Sequence, residues 1–322
     1  MSTRPVIAIT GATGFIGQAV LRAAIADGWQ PRLLTRRFPR GCLVPGQCVE
    51  VVLGDLDDAQ ALQKLVRGAS AIIHLAGLIK ALNKADFLAA NAGGTERLLM
   101  AAATTNPTAA FLHVSSLAAR EPHLSPYAAS KRASEERVQQ FAGQRPWAVI
   151  RPPAVYGPGD QATLPLFRAA KSGFLPIPAA AGARVSLIHV EDLATAILAA
   201  MQQLHAGNLP SGIRVEIDDG HAGGYGWAEI IQALTLAVGH RIRSLRLPRP
   251  LLVPVAAANA LYCRVRGQAD VFVPAKLGEL YHPDWVAADS GLPASCQWKP
   301  RFALDEGFRD TYQWYRNNSF IT

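Results

Sequence analysis

The chain has 322 residues, and its 32 lysines and arginines against 24 acids leave a formal net charge of +8. Half of the residues are hydrophobic and 17% are charged, which excludes an intrinsically disordered chain. The four cysteines, Cys42, Cys48, Cys263 and Cys296, are too scattered for a disulfide scaffold and form no Cys-x-x-Cys pair, so no metal is expected and a reducing cytoplasm is the expected location.

The opening apolar run, Val6 to Thr10, is shorter than the ~7–15 residues of a secretory signal. Being continuous and short, it reads as a strand buried on both faces. Residues 14–27 follow with helical spacing at Ile16, Val20, Leu21, Ala24 and Ile25, and Asp27-Gly28 stops that helix. Pro31 to Thr35 and Val49 to Leu53 read as the second and third strands, and Asp57 to Val66 as a helix. Ala71 to Leu75 is a fourth strand, and Phe87 to Ala103 one long helix closed by Asn106-Pro107. Phe111 to Val114, a helix over Tyr127 to Phe141, and Ala148 to Ile150 complete the series. Strand and helix in alternation mean parallel strands joined by crossover helices, so the expected class is α/β, a Rossmann-type doubly wound sheet.

After Arg151 the pattern loosens through Pro152, Pro153, Pro158, Pro165, Pro176 and Pro178. A strand and helix return at Ser186 to Gln203, and a glycine-rich loop runs from Gly220 to Gly226. The expected division is therefore residues 1–155 plus about 186–205 for a dinucleotide-binding domain. Residues of about 156–185 plus 206–322 would form a smaller, partly interleaved substrate domain. Leu251 to Leu261, interrupted by Pro254 and Asn259, falls short of the ~20 apolar residues of an integral membrane span. Without a basic run of ~5–8 residues, no nucleic-acid partner is expected.

Chemistry enters at Thr10-Gly11-Ala12-Thr13-Gly14-Phe15-Ile16-Gly17, between the first strand and the first helix. Gly11 permits a tight turn, Gly14 lets backbone approach a pyrophosphate, and Gly17 lets helix pack close on strand. The helix N-terminus offers unsatisfied N–H groups to phosphate, so Gly11, Thr13, Gly14, Phe15, Ile16 and Gly17 form a candidate dinucleotide seat; a plain turn is the bland alternative. Where an NAD site places an acid at the end of the second strand, this chain has Thr35-Arg36-Arg37, and no acid occurs between Asp27 and Glu50. Arginine grips a 2′-phosphate bidentately, so NADP(H) is favoured, with NAD(H) the alternative if Arg36 and Arg37 are only solvated surface residues.

Tyr127-Ala128-Ala129-Ser130-Lys131 opens a later helix, and residues four apart share a helix face. An ammonium beside a phenol, whose free pKa is ~10, favours the phenolate and makes it a proton donor or acceptor at working pH. Ser116, just past the fifth strand, can hydrogen-bond a substrate oxygen as charge develops there.

Together with Gly54-Asp55-Leu56, His74-Leu75-Ala76-Gly77, Asn91 with Gly94-Thr95, Arg151-Pro152, Val155 to Asp160, and His189 to Asp192, these stretches resemble the short-chain dehydrogenases/reductases. The resemblance is to the extended type, which includes NAD-dependent epimerases and dehydratases, and it runs through most of the chain. It implies that Asp55 and Leu56 flank the adenine, that Ala76 and Gly77 line the cofactor, and that Asn91 sits beside the proton relay. It also implies that Tyr127 and Lys131 touch the cofactor, that Pro152, Pro153 and Val155 pack near the nicotinamide, and that the chain is a homodimer through helices around 87–105 and 127–143. Ser116 is followed by Leu117-Ala118-Ala119 rather than acids, which argues against a 4,6-dehydratase. The stretch from Ser116 to Tyr127 looks shorter than in nucleotide-sugar epimerases, whose diphosphate would need cations such as Arg168, Lys171 or Arg184. The carboxyl-terminal stretch from His282 through Trp298 to Tyr315 resembles bacterial and steroid-dehydrogenase-like relatives.

The expected function is therefore an NADP(H)-dependent oxidoreductase acting on a small molecule, with Ser116, Tyr127, Lys131 and Asn91 as catalytic residues. A nucleotide-sugar epimerase with retained NAD and a non-catalytic dinucleotide-binding scaffold are the alternatives. His74 and His189 read as structural residues and Asp192 as a helix N-cap. Trp227, Trp285 and Trp298 read as core packing rather than a pocket lining. Leu251 to Leu261, flanked by Arg246, Arg249, Arg264 and Arg266, reads as a packed helix or pocket wall, the alternative being a helix lying on a membrane surface.

Overall fold

The computed structural model describes residues 4–38, 49–270, 272–288 and 291–321, so Cys42 and Cys48 lie outside the described residues. The first part of the chain runs β1 (Val6–Thr10), α1 (Phe15–Ala26), β2 (Gln30–Thr35), β3 (Glu50–Leu53), α2 (Ala59–Val66), β4 (Ala71–His74) and α3 (Lys84–Leu88). It continues through α4 (Gly94–Thr105), β5 (Ala110–Val114), α5 (Pro126–Phe141) and β6 (Trp147–Arg151). Then come β7 (Ala154–Tyr156), α6 (Leu164–Lys171), β8 (Phe174–Ile177), β9 (Arg184–Val185), β10 (Leu187–His189) and α7 (Val190–His205). The remainder is β11 (Ile213–Glu216), β12 (Tyr225–Gly226), α8 (Trp227–Val238), β13 (Arg243–Arg246), α9 (Arg249–Arg266), α10 (Leu277–Leu280), β14 (Asp284–Trp285) and α11 (Leu304–Asn317).

These elements form two compact units. The first holds residues 1–151, 194–215 and 292–298, and the second 152–193, 216–291 and 299–322. In the first, seven strands lie in the order β11-β6-β5-β4-β1-β2-β3, and every pairing from β6 across to β3 is parallel. The order steps outward from β1 in both directions, the doubly wound arrangement that places ligand-binding loops at the carboxyl ends of the strands. All residues of β4 and β5 are buried, as strands covered by helices on both faces require. Leu62, Leu65 and Val66 of α2 and Leu98 and Leu99 of α4 pack with Ile72 and Phe111 into one core, each fully buried side chain contributing about 1.5–3 kcal/mol.

Caps set where the helices begin. Ser125 accepts a hydrogen bond from Ala128 N at 3.0 Å and Pro126 occupies the first turn, so α5 starts one residue before Tyr127. The single helix expected over Phe87 to Ala103 is instead interrupted: α3 and α4 are joined by a π-helical turn, Ala89–Gly93. The wider turn turns Asn91 inward, where it is buried and fully bonded, which is what holds the irregularity in place.

The second unit is held by aromatic packing. Tyr156, Phe167, Phe308, Tyr312 and Tyr315 are buried together, with Tyr156 and Phe308 edge to face at 5.0 Å. Asp192 is not an N-cap. It lies inside the first turn of α7 and its carboxylate accepts the backbone N–H groups of Arg301 and Phe302, both at 2.9 Å, pinning the segment that leads into α11. The packed helix expected around Leu251 to Leu261 forms, as α9, but it is not packed on most sides: Ala256 and Cys263 are its buried residues, and Leu251, Val255 and Leu261 are exposed. Hydropathic spacing reports that a helix has an apolar face, not what that face meets.

Candidate active site

The opening loop is tight because its glycines lie against neighbouring backbone. Gly11 has φ +75°, and a Cβ there would stand 2.7 Å from Ala76 N, while a Cβ on Gly17 would collide with Gly11 O. The loop therefore closes on the β4 end and on the first turn of α1. Gly14 precedes that helix in extended conformation with no side-chain cap, and Thr13 and Gly14 are exposed. The first-turn N–H groups of Phe15, Ile16 and Gly17 so face an open backbone cradle with the positive end of a helix dipole, which fits a pyrophosphate.

Ala76 N donates to Thr10 Oγ1 at 3.3 Å, and a Cβ on Gly77 would meet Asn91 Oδ1 at 2.9 Å. Asn91 is held on both sides: its Oδ1 accepts from Leu78 N at 2.7 Å, and its Nδ2 donates to Ser130 Oγ at 2.8 Å. Ser130 Oγ in turn donates to Tyr127 O at 2.7 Å. Contacts therefore run without a break from the glycine loop to the first turn of α5. Tyr127 is half-buried, its ring 6.1 Å from Phe87.

One turn further on, Lys131 is buried and its Nζ donates to Val114 O at 2.9 Å, at the carboxyl end of β5. Burial lowers its pKa to about 8, opposed by the Glu135 carboxylate four residues on. Ser116 stands two residues past Val114, half-exposed, its hydroxyl accepting Ala118 N at 3.2 Å. The structure thus puts Ser116 and Lys131 at the end of β5, with Tyr127 on the same helix as Lys131 and Asn91 tied to that helix through Ser130.

Other expected residues take these places. Arg36 and Arg37 are exposed and follow Thr35, and since Leu34 pairs with Thr10 they emerge one strand over from Gly11. Thr35 Oγ1 donates to Arg37 O at 2.7 Å. Asp55 makes a turn, accepting Asp57 N at 2.9 Å, and Leu56 O accepts Arg97 Nε at 2.7 Å. Gly94 lets α4 approach, because a Cβ there would press on Leu56 Cδ1 at 2.6 Å. Pro152, Pro153 and Val155 lie in the second unit, Val155 paired with Ile188 of β10. Arg168 donates to Phe320 O, and Arg184 to Gly223 O and Gly224 O, so these two exposed guanidinium groups tie chain segments of the second unit together.

Beneath the strand ends lie polar groups that motif reading misses. His74 joins Thr10 Oγ1 at 2.7 Å and Thr95 Oγ1 at 3.0 Å, and burial, then Lys131, depresses its pKa to about 3, so it is a neutral structural residue. His113 stacks on it at 5.3 Å, bonds Ser134 Oγ at 2.8 Å, and is likewise kept neutral by burial. Glu135, 1% exposed, takes Arg151 Nε at 2.9 Å and Nη2 at 2.7 Å, and Ser115 Oγ at 2.6 Å. The spacing Tyr127, Lys131, Glu135 along one helix face was the available signal. His189 is structural too, its ring against Phe302 at 3.9 Å.

The second unit has a cavity of about 410 Å³ lined by Trp227, Trp285, Phe272, Leu277, Leu280 and Pro178, among others. Trp227 packs against the aromatic core, as expected, and also lines this cavity, whereas Trp285 is half-buried in its wall. A fully packed interior would have closed over them. Trp298 lies in the first unit, donating to Thr195 Oγ1 at 3.0 Å.

The sheet order and the loop geometry define a dinucleotide-binding fold. Residues 7–215 match the NAD dependent epimerase/dehydratase family, and the chain belongs to it. It is 42% identical over 318 residues to a ceramide reductase of Caulobacter vibrioides, covering 97% of this chain and 95% of that one. It is 30% identical over 331 residues to a 2-alkyl-3-oxoalkanoate reductase of Stenotrophomonas maltophilia, covering 94% and 97%. A UDP-glucose-4-epimerase from Stenotrophomonas maltophila, solved with bound NAD and formylated UDP-arabinopyranose, shares the fold at TM-score 0.72 and 20% identity over 99% of this chain and 100% of that chain. The protein is an NAD(P)-dependent oxidoreductase of the extended short-chain type. Among the described residues, no helix is long and apolar enough to cross a membrane.

Proposed function

We propose that this chain is an NADP(H)-dependent reductase of a carbonyl carried on a long-chain lipid. The observation that carries the reading is the buried Lys131 ammonium, fixed on Val114 O two residues before Ser116 and one helical turn from Tyr127. The names of the two reductase relatives supply the substrate class, and the 410 Å³ apolar cavity in the second unit suits an alkyl chain.

In this reading the first unit is the dinucleotide-binding domain and the second the substrate domain. The glycine loop and the first turn of α1 hold the pyrophosphate, Asp55 and Leu56 flank the adenine, and Ala76 and Gly77 line the seat. Arg36 and Arg37 grip a 2′-phosphate. When bound, the nicotinamide supplies the hydride. Tyr127 gives its phenolic proton to the carbonyl oxygen, and Ser116 donates a hydrogen bond to that oxygen as negative charge develops. Lys131 steadies the charge left on Tyr127, and Asn91, through Ser130, fixes the turn that carries Tyr127. The two described cysteines, Cys263 and Cys296, are buried free thiols, which suits the cytoplasm. A homodimer through α4 and α5 completes the proposal.

The test follows coenzyme oxidation with a 2-alkyl-3-oxoalkanoate and with a ketone-bearing ceramide. NADPH should be consumed in preference to NADH. Tyr127→Phe should lower kcat by about 10²–10⁴ while NADPH affinity is unchanged. Undiminished turnover in that variant would remove Tyr127 from the chemistry and the proposal with it.

A further inference from the structure

Helix α9 carries two apolar stripes where a packed helix carries one. Leu252, Ala256, Asn259 and Cys263 recur at three- and four-residue intervals and turn toward the protein, with Ala256 and Cys263 buried. A second series, Leu251, Val255, Ala258, Leu261, Tyr262 and Val265, recurs at the same intervals and lies exposed, 61% at Leu251 and 80% at Val265. At 3.6 residues per turn the two series point about 120° apart, so the surface that covers the first leaves the second open.

The helix is anchored, not frayed. Asn259 Nδ2 donates to Phe272 O at 2.8 Å, and just ahead of α9 Tyr281 Oη donates to Leu247 O at 2.6 Å. The segment that carries the open stripe has charge of one sign as far as Asp270, whose carboxylate meets Asn259 Nδ2 on the covered side at 3.4 Å. The stretch from His240 to Ala269 holds six arginines, Arg241, Arg243, Arg246, Arg249, Arg264 and Arg266, all exposed, and no acid. The Arg266 guanidinium lies 5.1 Å over the Tyr262 ring, which keeps a charge at the margin of the apolar strip.

Two coverings fit an apolar strip, a second copy of the chain and a lipid surface. An isologous contact through α9 would set these arginines against their own copies. Anionic headgroups would instead neutralise them while acyl chains cover the leucines and valines. We propose that α9 lies in the interface of an anionic bilayer, with the Leu251-to-Val265 stripe among the acyl chains and the flanking arginines on the phosphates. The helix then sits beside the apolar cavity of its own unit, because Phe272, whose carbonyl Asn259 holds, is part of the cavity wall. This docking does not rest on the proposed activity and stands or falls apart from it.

The test is flotation of the purified chain with phosphatidylcholine vesicles made with and without phosphatidylglycerol. The chain should float with the anionic vesicles, at least tenfold less with phosphatidylcholine alone, and less as salt is raised. Val255→Glu with Leu261→Glu should abolish flotation with an unchanged melting temperature. Leu261→Trp should float and shift its emission to the blue on binding. Failure of the wild-type chain to float with anionic vesicles overturns the proposal. So does a dimer in solution that Val255→Glu with Leu261→Glu dissolves, which would make α9 a contact between copies.

Discussion

Helices α5 and α9 have similar lengths, 16 and 18 residues, and opposite relations between composition and burial. The sequence of α5 is polar, yet Ser130, Lys131, Ser134 and Glu135 are buried. That of α9 is largely apolar, yet Leu251, Val255, Leu261 and Val265 are exposed. Buried polar groups and contiguous exposed apolar groups are the two departures from ordinary folding that carry information about function. In α5 the cost of desolvation is offset by hydrogen bonds that fix the geometry in advance of any ligand. In α9 the apolar surface is left uncovered among the described residues, and the proposed bilayer docking is what would bury it.

The largest effect expected of this contrast lies beneath α5. Arg151→Met should destabilise the protein by about 3–5 kcal/mol, because it leaves the Glu135 carboxylate buried without its two-pronged partner. Urea unfolding followed by far-UV circular dichroism measures it. Adding Glu135→Leu should restore most of the loss, since the penalty belongs to a buried carboxylate left with Ser115 and with Arg132 and Arg214 only at 4.0 and 3.9 Å, and not to the missing guanidinium. A single variant as stable as the wild type would mean that the pair is dispensable and that α5 is no different in kind from α9.

A smaller effect follows from Lys131. Its folded pKa of about 8 lies below the ordinary 10.5, because burial disfavours the ammonium. Below about pH 8 both folded and unfolded chains hold the proton and the full penalty is present. Between about 8 and 10.5 the unfolded chain binds more proton than the folded one, so stability rises with pH, by about 3 kcal/mol in all from this group. Lys131→Met should lack that rise. If the wild type instead loses stability relative to the variant over this window, the ammonium is held more tightly in the fold than in water, and its placement as a desolvated cation is wrong.

The same contrast explains what could be read from the sequence. The Rossmann sheet was legible because its strands are short continuous apolar runs and its first turn carries three glycines at fixed spacing, all consequences of local chemistry. Ser116, Tyr127 and Lys131 stood out in the sequence and Asn91 through the resemblance; the structure puts Ser116 and Lys131 at the end of β5 and bonds Asn91 to Leu78 and Ser130. The supports were not legible. Ser115 and Arg151 converge on Glu135 from 20 and 16 residues away, and the π-helical turn that directs Asn91 inward leaves no mark in a window that scans as one helix. The run from Leu251 to Leu261 was visible as apolar, but its expected packing did not follow, because composition does not say which face of a helix is covered and only coordinates do.

The smallest expected effect is the stability change in α9, and it discriminates as sharply as the largest. Val255→Glu with Leu261→Glu replaces two exposed apolar side chains by charges in a segment whose nearest flanking charges are arginines. If the stripe faces solvent in the free chain, there is no cavity to open and no buried group to leave unpaired, so each change stays within about 0.5 kcal/mol. Had the stripe been part of the hydrophobic core, two buried carboxylates would cost several kcal/mol and the chain would unfold early. The urea midpoint therefore separates the two architectures without any lipid present: an unchanged midpoint makes α9 a face held ready for something else, and a collapsed one makes it core.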